Sequence, residues 1–287
     1  MSEVFKKLPG IPPKRAKTPE SIVIATYNLW NGRGGEGIFE FVSSHPEVDI
    51  WCFQDVNSSL THQVDDFGAI SDMLETLRLT LPNFLPMHAP VLHYSPETYS
   101  GNFSTQYGIS MFARITLPMV EYSQILLNGH FHERIFLRGD ATDHVRSVQK
   151  MSFKWPDTDR QLTVFNYHGI WEKAPPGMSS KGDSPERIMV AKKIRALIDQ
   201  SKQSTVIVGD FNLEPNTQSI AIIAGNDMQD LIKNYNIKTT RSSIYTKKEH
   251  PFADYVFVSN DLQVTNFHLP DVNYSDHLPL ITKISFI

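Results

Sequence analysis

The feature that most limits how this chain can fold is a recurring one: short apolar runs of strand length that close on polar side chains. SIVIATYN at 21–28 ends in Asn28, and VDIWCFQDV at 48–56 carries Gln54 and Asp55 near its end. QLTVFNYHGI at 161–170 carries Asn166 and His168, and TVIVGDFN at 205–212 carries Asp210 and Asn212. Runs this short and apolar have the pattern of buried strands. Stretches with helical spacing alternate with them. GIFEFVSSH is one, FGAISDMLETLRL repeats Ile70, Met73, Leu74 and Leu77, and Ile188, Ala191, Ile194, Leu197 and Ile198 form a third. Ser184 suits the N-cap of that third helix and Pro185 its first position. In the middle of the chain the grammar changes. YGISMFARI, SVQKMSFKW and QLTVFNYHGI read as strands without long helices between them, and WPDTDRQ reads as a hairpin loop. PFADYVFVS, LQVTNFHL and LPLITKISFI close the chain as strands. Strand–helix units in both halves, with hairpins between, predict an α/β fold in which two mixed sheets pack face to face with helices outside.

Composition narrows the class. With 40% hydrophobic and 20% charged residues, the chain is neither disordered nor a coiled coil. A single cysteine, Cys52, excludes an intrachain disulfide and a Cys-based zinc cluster; in its apolar run it reads as core. No stretch approaches the ~18 apolar residues of a membrane span. The leader has no apolar core, so a cytoplasmic location is expected. A net charge of −4 argues against a strongly basic nucleic-acid module but leaves room for a local basic groove. Residues 1–19, with Lys6, Lys7, Lys14, Arg15 and Lys17, read as a flexible basic arm, and 20–287 as one domain. WEKAPPGMSSKGDSP at 171–185 lies between a strand and a helix and reads as a long functional loop.

The polar residues at the strand ends are the chemical signal. Taken singly, each has a bland reading as a turn residue, a cap or a satisfied core histidine. Taken as an ordered set with Asp254, Asp276 and His277, they predict converging carboxylates and amides, an all-oxygen site suited to Mg²⁺ or Mn²⁺. GRGGEG at 32–37 competes as a dinucleotide fingerprint, but Leu29, Trp30 and Asn31 separate it from the strand and it leaves GDFN and SDH unexplained. His130 and His132 in GHFH are spaced to face the same way on a strand, but with no third ligand in a recognisable motif they read as loop or surface residues.

TYN at 26–28, QDV at 54–56, NYH at 166–168, GDFN at 209–212, ADY at 253–255 and SDH at 275–277 resemble the ordered motifs of the endonuclease/exonuclease/phosphatase superfamily, the DNase I-like proteins. The resemblance runs from about residue 21 to 286. It implies a four-layer α/β sandwich and a metal-dependent phosphoesterase. Asn28 and Asp55 would lie at a divalent ion, Mg²⁺ or Mn²⁺, with Asp276 nearby. Asp210 and Asn212 would orient the attacking water and the phosphate. His168 would bind phosphate and assist the leaving group, and Asp254 would hold the ring of His277. The family has Glu where this chain has Asp55, one methylene shorter but still a hard oxygen ligand. The expected substrate is a phosphodiester, with nucleic acid first. Basic residues and tyrosines interleave from Lys233 to His250, and Trp171 offers a stacking face to a bound base. A small or lipid phosphate is the alternative substrate, and a degenerate binding module without catalysis is a second alternative.

Overall fold

The computed structural model describes residues 21–94, 103–129, 131–133, 145–155, 158–172, 180–247 and 249–287. The basic arm, His130 and most of the loop after Trp171 lie outside these residues.

Alternation along the apolar runs decides which way each strand faces, because successive side chains point to opposite sides of a sheet. In β1 (Ile22–Asn28) and β2 (Ile50–Ser58), Ile22, Ile24, Ile50 and Cys52 turn inward and join a core with Met111, Val148, Val164 and Leu280. Val23, Ala25, Tyr27, Trp51 and Phe53 turn outward. There they pack against Ile38, Phe41 and Val42 of α1 (Glu36–Ser43) and Met73 and Leu77 of α2 (Met73–Thr80). The chain continues through β3 (Phe84–Tyr94), β4 (Thr105–Arg114), β5 (Met119–Asn128), β6 (His132–Glu133), β7 (Arg146–Lys154) and β8 (Gln161–His168). It then forms α3 (Pro185–Ser201), β9 (Ser204–Asp210), α4 (Gln218–Ala224), β10 (Met228–Asp230) and α5 (Leu231–Asn234). β11 (Asp254–Ser259), β12 (Leu262–His268) and β13 (Leu280–Phe286) follow. One sheet orders its strands β12-β13-β1-β2-β4-β3-β6 and the other β10-β11-β9-β8-β7-β5. Both are mixed: β1 and β2 run parallel in the first, β8 and β9 in the second, among antiparallel neighbours. Val190, Ala191, Ile194 and Ile198 of α3 and Ile220 and Ile223 of α4 cover the second sheet, completing the four layers. This topology also disposes of the dinucleotide reading, since β1 pairs with β13 antiparallel rather than sitting in a parallel Rossmann sheet. No helix of the described residues is long and apolar enough to cross a membrane.

β5, α4, β10 and α5 fall where the sequence pattern names no element, and the second helix and β3 depart from it for visible reasons. The second helix starts at Met73, not at Phe67, because the Asp65 carboxylate takes the backbone N–H groups of Phe67 and Ala69, each at 2.8 Å, and ties that stretch into a turn. β3 is a strand despite Pro86 and Pro90. It pairs with β4 along its length but meets β6 only at Leu92 and His93, and its register shifts between Pro90 and Leu92. Prolines are tolerated where a strand has a free side or a bulge.

The facing sheets are joined by a polar seam. Gln54, from the first sheet, and Asn166 and Gln149, from the second, are fully buried. Gln54 Nε2 donates to Asn166 Oδ1 at 2.7 Å. Asn166 Nδ2 faces Gln149 Oε1 at 3.0 Å and the carbonyls of Phe53 and Ser110 at 3.2 Å. Gln149 Nε2 donates to Met87 O at 2.8 Å. A buried amide network of this kind costs little while satisfied and much when broken. Asn166→Ala leaves Gln54 and Gln149 unpaired and should lower stability by about 2–4 kcal/mol in urea unfolding.

His88 sits on the same seam, its Nδ1 2.8 Å from Ser110 Oγ, and burial lowers its pKa from 6.5 to about 4. The unfolded ring therefore takes up a proton that the folded ring refuses. Its contribution to stability is full above pH ~6.5 and is lost as pH falls toward 4. Denaturation midpoints measured against pH should fall less steeply in that window for His88→Gln than for the wild type.

Candidate active site

Strand register gathers the polar strand ends. In the second sheet His168 stands opposite Asp210 in the parallel β8–β9 ladder, and Asp254 opposite Asp210 in the antiparallel β11–β9 ladder. Gly209 makes the β8–β9 approach possible. Its φ is +139°, and a Cβ there would lie 1.9 Å from Tyr167 O. In the first sheet Asn28 stands opposite Gln54. Asp55 follows at φ +58°, inside the register shift between Phe53 and Val56 of β2. This bulge turns its carboxylate toward the cleft, since an extra residue in one strand re-aims the side chains around it. Ser275 Oγ donates to Asn28 O at 2.8 Å, which brings Asp276 and His277 to the same end of the sandwich.

Asp210 is the hub. Its Oδ2 accepts from Asn28 Nδ2 at 3.0 Å and its Oδ1 from the Asn212 backbone N–H at 2.9 Å. His168 Nε2 and His277 Nε2 lie 3.6 and 3.7 Å from Oδ2. Burial alone would raise the pKa of Asp210, but His277, His168, Lys181 and Arg241 overcome it and hold the carboxyl well below the usual range. Asp254 accepts from His277 Nδ1 with oxygens at 2.8 and 3.0 Å; its pKa is raised by burial, against the pull of His277. A carboxylate can only accept, so Nδ1 carries the proton. Burial and Arg241 depress the pKa of His277, and Asp254, Asp276 and Asp210 outweigh them and raise it. His277 Nε2 also meets Arg241 Nη1, which donates to the neutral ring. His168 differs: burial, helped by Arg146, lowers its pKa to about 4 against Asp55 and Asp210, so its ring is neutral near pH 7.

These groups open onto a cleft of about 640 Å³. Asn28, Asp55, His168, Asp210, Asn212, Asp276, His277 and Trp171 all line it. Asp254 stands behind His277 and reaches the cleft only through that ring. Gln54 and Asn166 do not line it; they form the seam beneath. Of the basic segment, Arg241, Tyr245 and Lys247 reach the wall; of the glycine-rich stretch Arg33 does, as does Asn31 just before it. The lining also includes residues that the sequence does not single out, among them Trp30, Asn57, Tyr94, Tyr107, Arg146 and Lys181. A charged residue opening a buried strand was the available signal for Arg146. Lys181 sits in the loop after Trp171, and nothing in its neighbours predicts its burial.

A model of the endonuclease/exonuclease/phosphatase family matches residues 25–277. The chain belongs to this family. Solved members share the fold at low identity. An endonuclease/exonuclease/phosphatase from Bacteroides vulgatus is 17% identical with a TM-score of 0.65, over 93% of this chain and 99% of that one. The Bacteroides thetaiotaomicron mannosyl-6-phosphatase is 17% identical with a TM-score of 0.62, over 92% and 100%. The human Nocturnin catalytic domain with bound sulfate is 18% identical with a TM-score of 0.61, over 93% and 95%. No curated protein matches the chain by sequence.

Family members are typically phosphoester hydrolases and generally need a divalent metal. The donors present fit a hard cation. Asp276 Oδ1 is buried and accepts no hydrogen bond among the described residues. Asp55 accepts from Tyr107 OH through Oδ1, and Asn28 Oδ1 accepts one bond, from Trp30 N at 2.9 Å, keeping a second lone pair. Asp210, Asp254 and His277 also bring one ligand atom each within 4.8 Å of one another. In that group, however, His277 Nδ1 already engages both Asp254 oxygens, whereas Asp276 Oδ1 accepts no hydrogen bond among the described residues and has His277 Nε2 no nearer than 3.7 Å. Asp55→Ala should weaken Mn²⁺ binding at least ~10-fold by calorimetric titration. Asp55→Glu should keep the binding but lose about 1 kcal/mol of stability, because a left-handed backbone suits Asp better than Glu.

Proposed function

We propose that this family member is a divalent-metal-dependent phosphodiesterase, acting on nucleic acid by in-line attack of water. The observation that carries the reading is Asp210, a buried carboxylate kept ionised between two imidazoles at the floor of a cation-lined cleft. Asp210 accepts a hydrogen bond from the attacking water and aligns it. Asn212 and the neutral His168 donate to phosphate oxygens. Asn28, Asp55 and Asp276 hold the ion, which when bound neutralises charge on the phosphate. His277 passes between two states, accepting from Arg241 when neutral and donating toward the reacting groups when protonated. Asp254 fixes its tautomer in both.

The cleft wall supports an anionic polymer. It carries Arg33, Arg146, Lys181, Arg241 and Lys247 against Asp55, Asp210 and Asp276, a balance of +2 on a chain of net charge −4. A positive cleft on a negative body concentrates anions where the chemistry is. Trp30, Trp171 and Tyr245 on the same wall give unstacked bases flat partners.

Hydrolysis of single-stranded RNA and DNA should require Mg²⁺ or Mn²⁺ and stop in EDTA. Asp210→Asn should fold normally and lose most turnover, as it deletes the aligning charge and almost no volume. Turnover of small sugar phosphates but not of oligonucleotides would move the assignment to a small-molecule phosphatase. No hydrolysis of either would leave a binding module.

The His277 pairing has its own test. His277→Ala should cost ~10²-fold or more in rate. Asp254→Asn should cost much of that, and the double variant little more, since groups acting as a unit are not additive. Additive losses in a kinetic double-mutant cycle would break the pairing.

A further inference from the structure

Resting on that reading, we propose that Lys181 is a catalytic residue whose ammonium binds a non-bridging oxygen of the substrate phosphate beside Asn212. Lys181 lines the cleft with Asp210, Asn212, His168 and His277, yet it is only 3% exposed. Its Nζ donates to Asn212 Oδ1, and the Asn212 backbone N–H holds Asp210 Oδ1 at 2.9 Å. One short relay therefore joins the ammonium to the carboxylate that aligns water.

The chain invests a built loop in putting that ammonium there. Arg187, in the first turn of α3, donates to Ile170 O at 2.9 Å through Nη2 and at 3.2 Å through Nε. It also donates to Ser180 O at 2.9 Å and to Gly182 O at 2.5 Å. These bonds clamp both sides of Lys181 to the end of β8. Asp183 takes the backbone N–H groups of Gln218 and Ser219 at 2.6 and 2.9 Å. Lys181 O accepts from Glu214 N at 2.9 Å. The backbone on either side of Lys181 is thus fixed to the end of β8, to the segment after β9 and to the start of α4, and its Nζ lies at Asn212.

A buried ammonium is costly, and as a structural tie to Asn212 it would be a poor choice. A neutral donor satisfies an amide oxygen without the desolvation cost of a charge. Its charge already helps keep Asp210 ionised, and a phosphate oxygen seated beside Asn212 would give the same ammonium a charge-assisted partner on the cleft side. Burial lowers the lysine pKa only to about 8, with Asp210 holding it up, so the group is still mainly charged at neutral pH. A positive point on the Asn212 side of Asp210 gives the phosphate a neutralising contact distinct from Asn28, Asp55 and Asp276.

The probe is inorganic phosphate, titrated calorimetrically into the metal-free protein in EDTA. The wild type should bind it, Lys181→Arg should bind within ~3-fold, and Lys181→Gln, which can still donate to Asn212, should bind at least ~10-fold more weakly at an unchanged melting temperature. Unaltered binding by a folded Lys181→Gln, or no binding by the wild type, overturns the proposal. A second measurement needs no neutral variant. The ¹³Cε resonance of Lys181, assigned by its absence from Lys181→Arg, should move as phosphate is added to the wild type, and a resonance indifferent to phosphate overturns the assignment. Neither readout requires turnover. Phosphate binding that depends on Lys181 in a protein that cleaves no nucleic acid would retain this site and reject the nuclease reading.

Discussion

The hydrogen bond from Gln54 to Asn166 is the interaction on which the rest of the molecule depends. It crosses from one sheet to the other directly below the site. The groups above it come in two sets from two sheets: Asn28 at the end of β1 and Asp55 in the bulge of β2 belong to the first, while His168, Asp210 and Asp254 sit at strand ends of the second. Apolar packing holds the sheets together but is indifferent to small sliding. Directional amide bonds are not. Asn166 meets Gln54, Gln149 and two backbone carbonyls, so a shift of one sheet against the other would break several bonds at once.

Much of this was legible in the sequence because strand alternation and strand-end polarity are local properties. The runs around Asn28, Asp210 and His168 became strands ending where their pattern ends, and register then gathered them. What was not legible depends on backbone departures and on distance along the chain. Asp55 faces the cleft because of a bulge, which no periodicity announces. β3 was hidden by Pro86 and Pro90, whose usual meaning is cancelled by a sparsely paired side and a bulge. Gln54 and Asn166 carried the same strand-end signature as the cleft residues, yet they became the seam, because the inward face of each strand continues below the cleft floor. Lys181 and Arg241 join the site from loops, where charge gives no hint of burial.

The electrostatics of the site divide labour between two histidines of similar burial. His277 has Asp254 against one nitrogen and keeps its proton more readily, while burial, with Arg146 adding to it, makes His168 give its proton up. One ring is set to carry charge and the other to donate from a neutral state. Asp210, 3.6 and 3.7 Å from the two rings, takes its ionised character from both. The same cations that keep it ionised make the cleft receptive to anions, so in the proposed reaction water alignment and substrate attraction would have a common source.

The split origin of the site has a mechanical corollary. A ligand confined to Asn28, Asp55 and Asp276 touches side chains on the first-sheet side and reaches the second sheet only indirectly, as through the bond from Asn28 to Asp210. A phosphate ester that also reaches His168 and Asn212 spans the gap, acting as a fastener across the sandwich. Occupancy by substrate would then add to the Gln54–Asn166 seam in resisting separation of the layers, and the cleft would be stiffest at the moment when its two halves must act together.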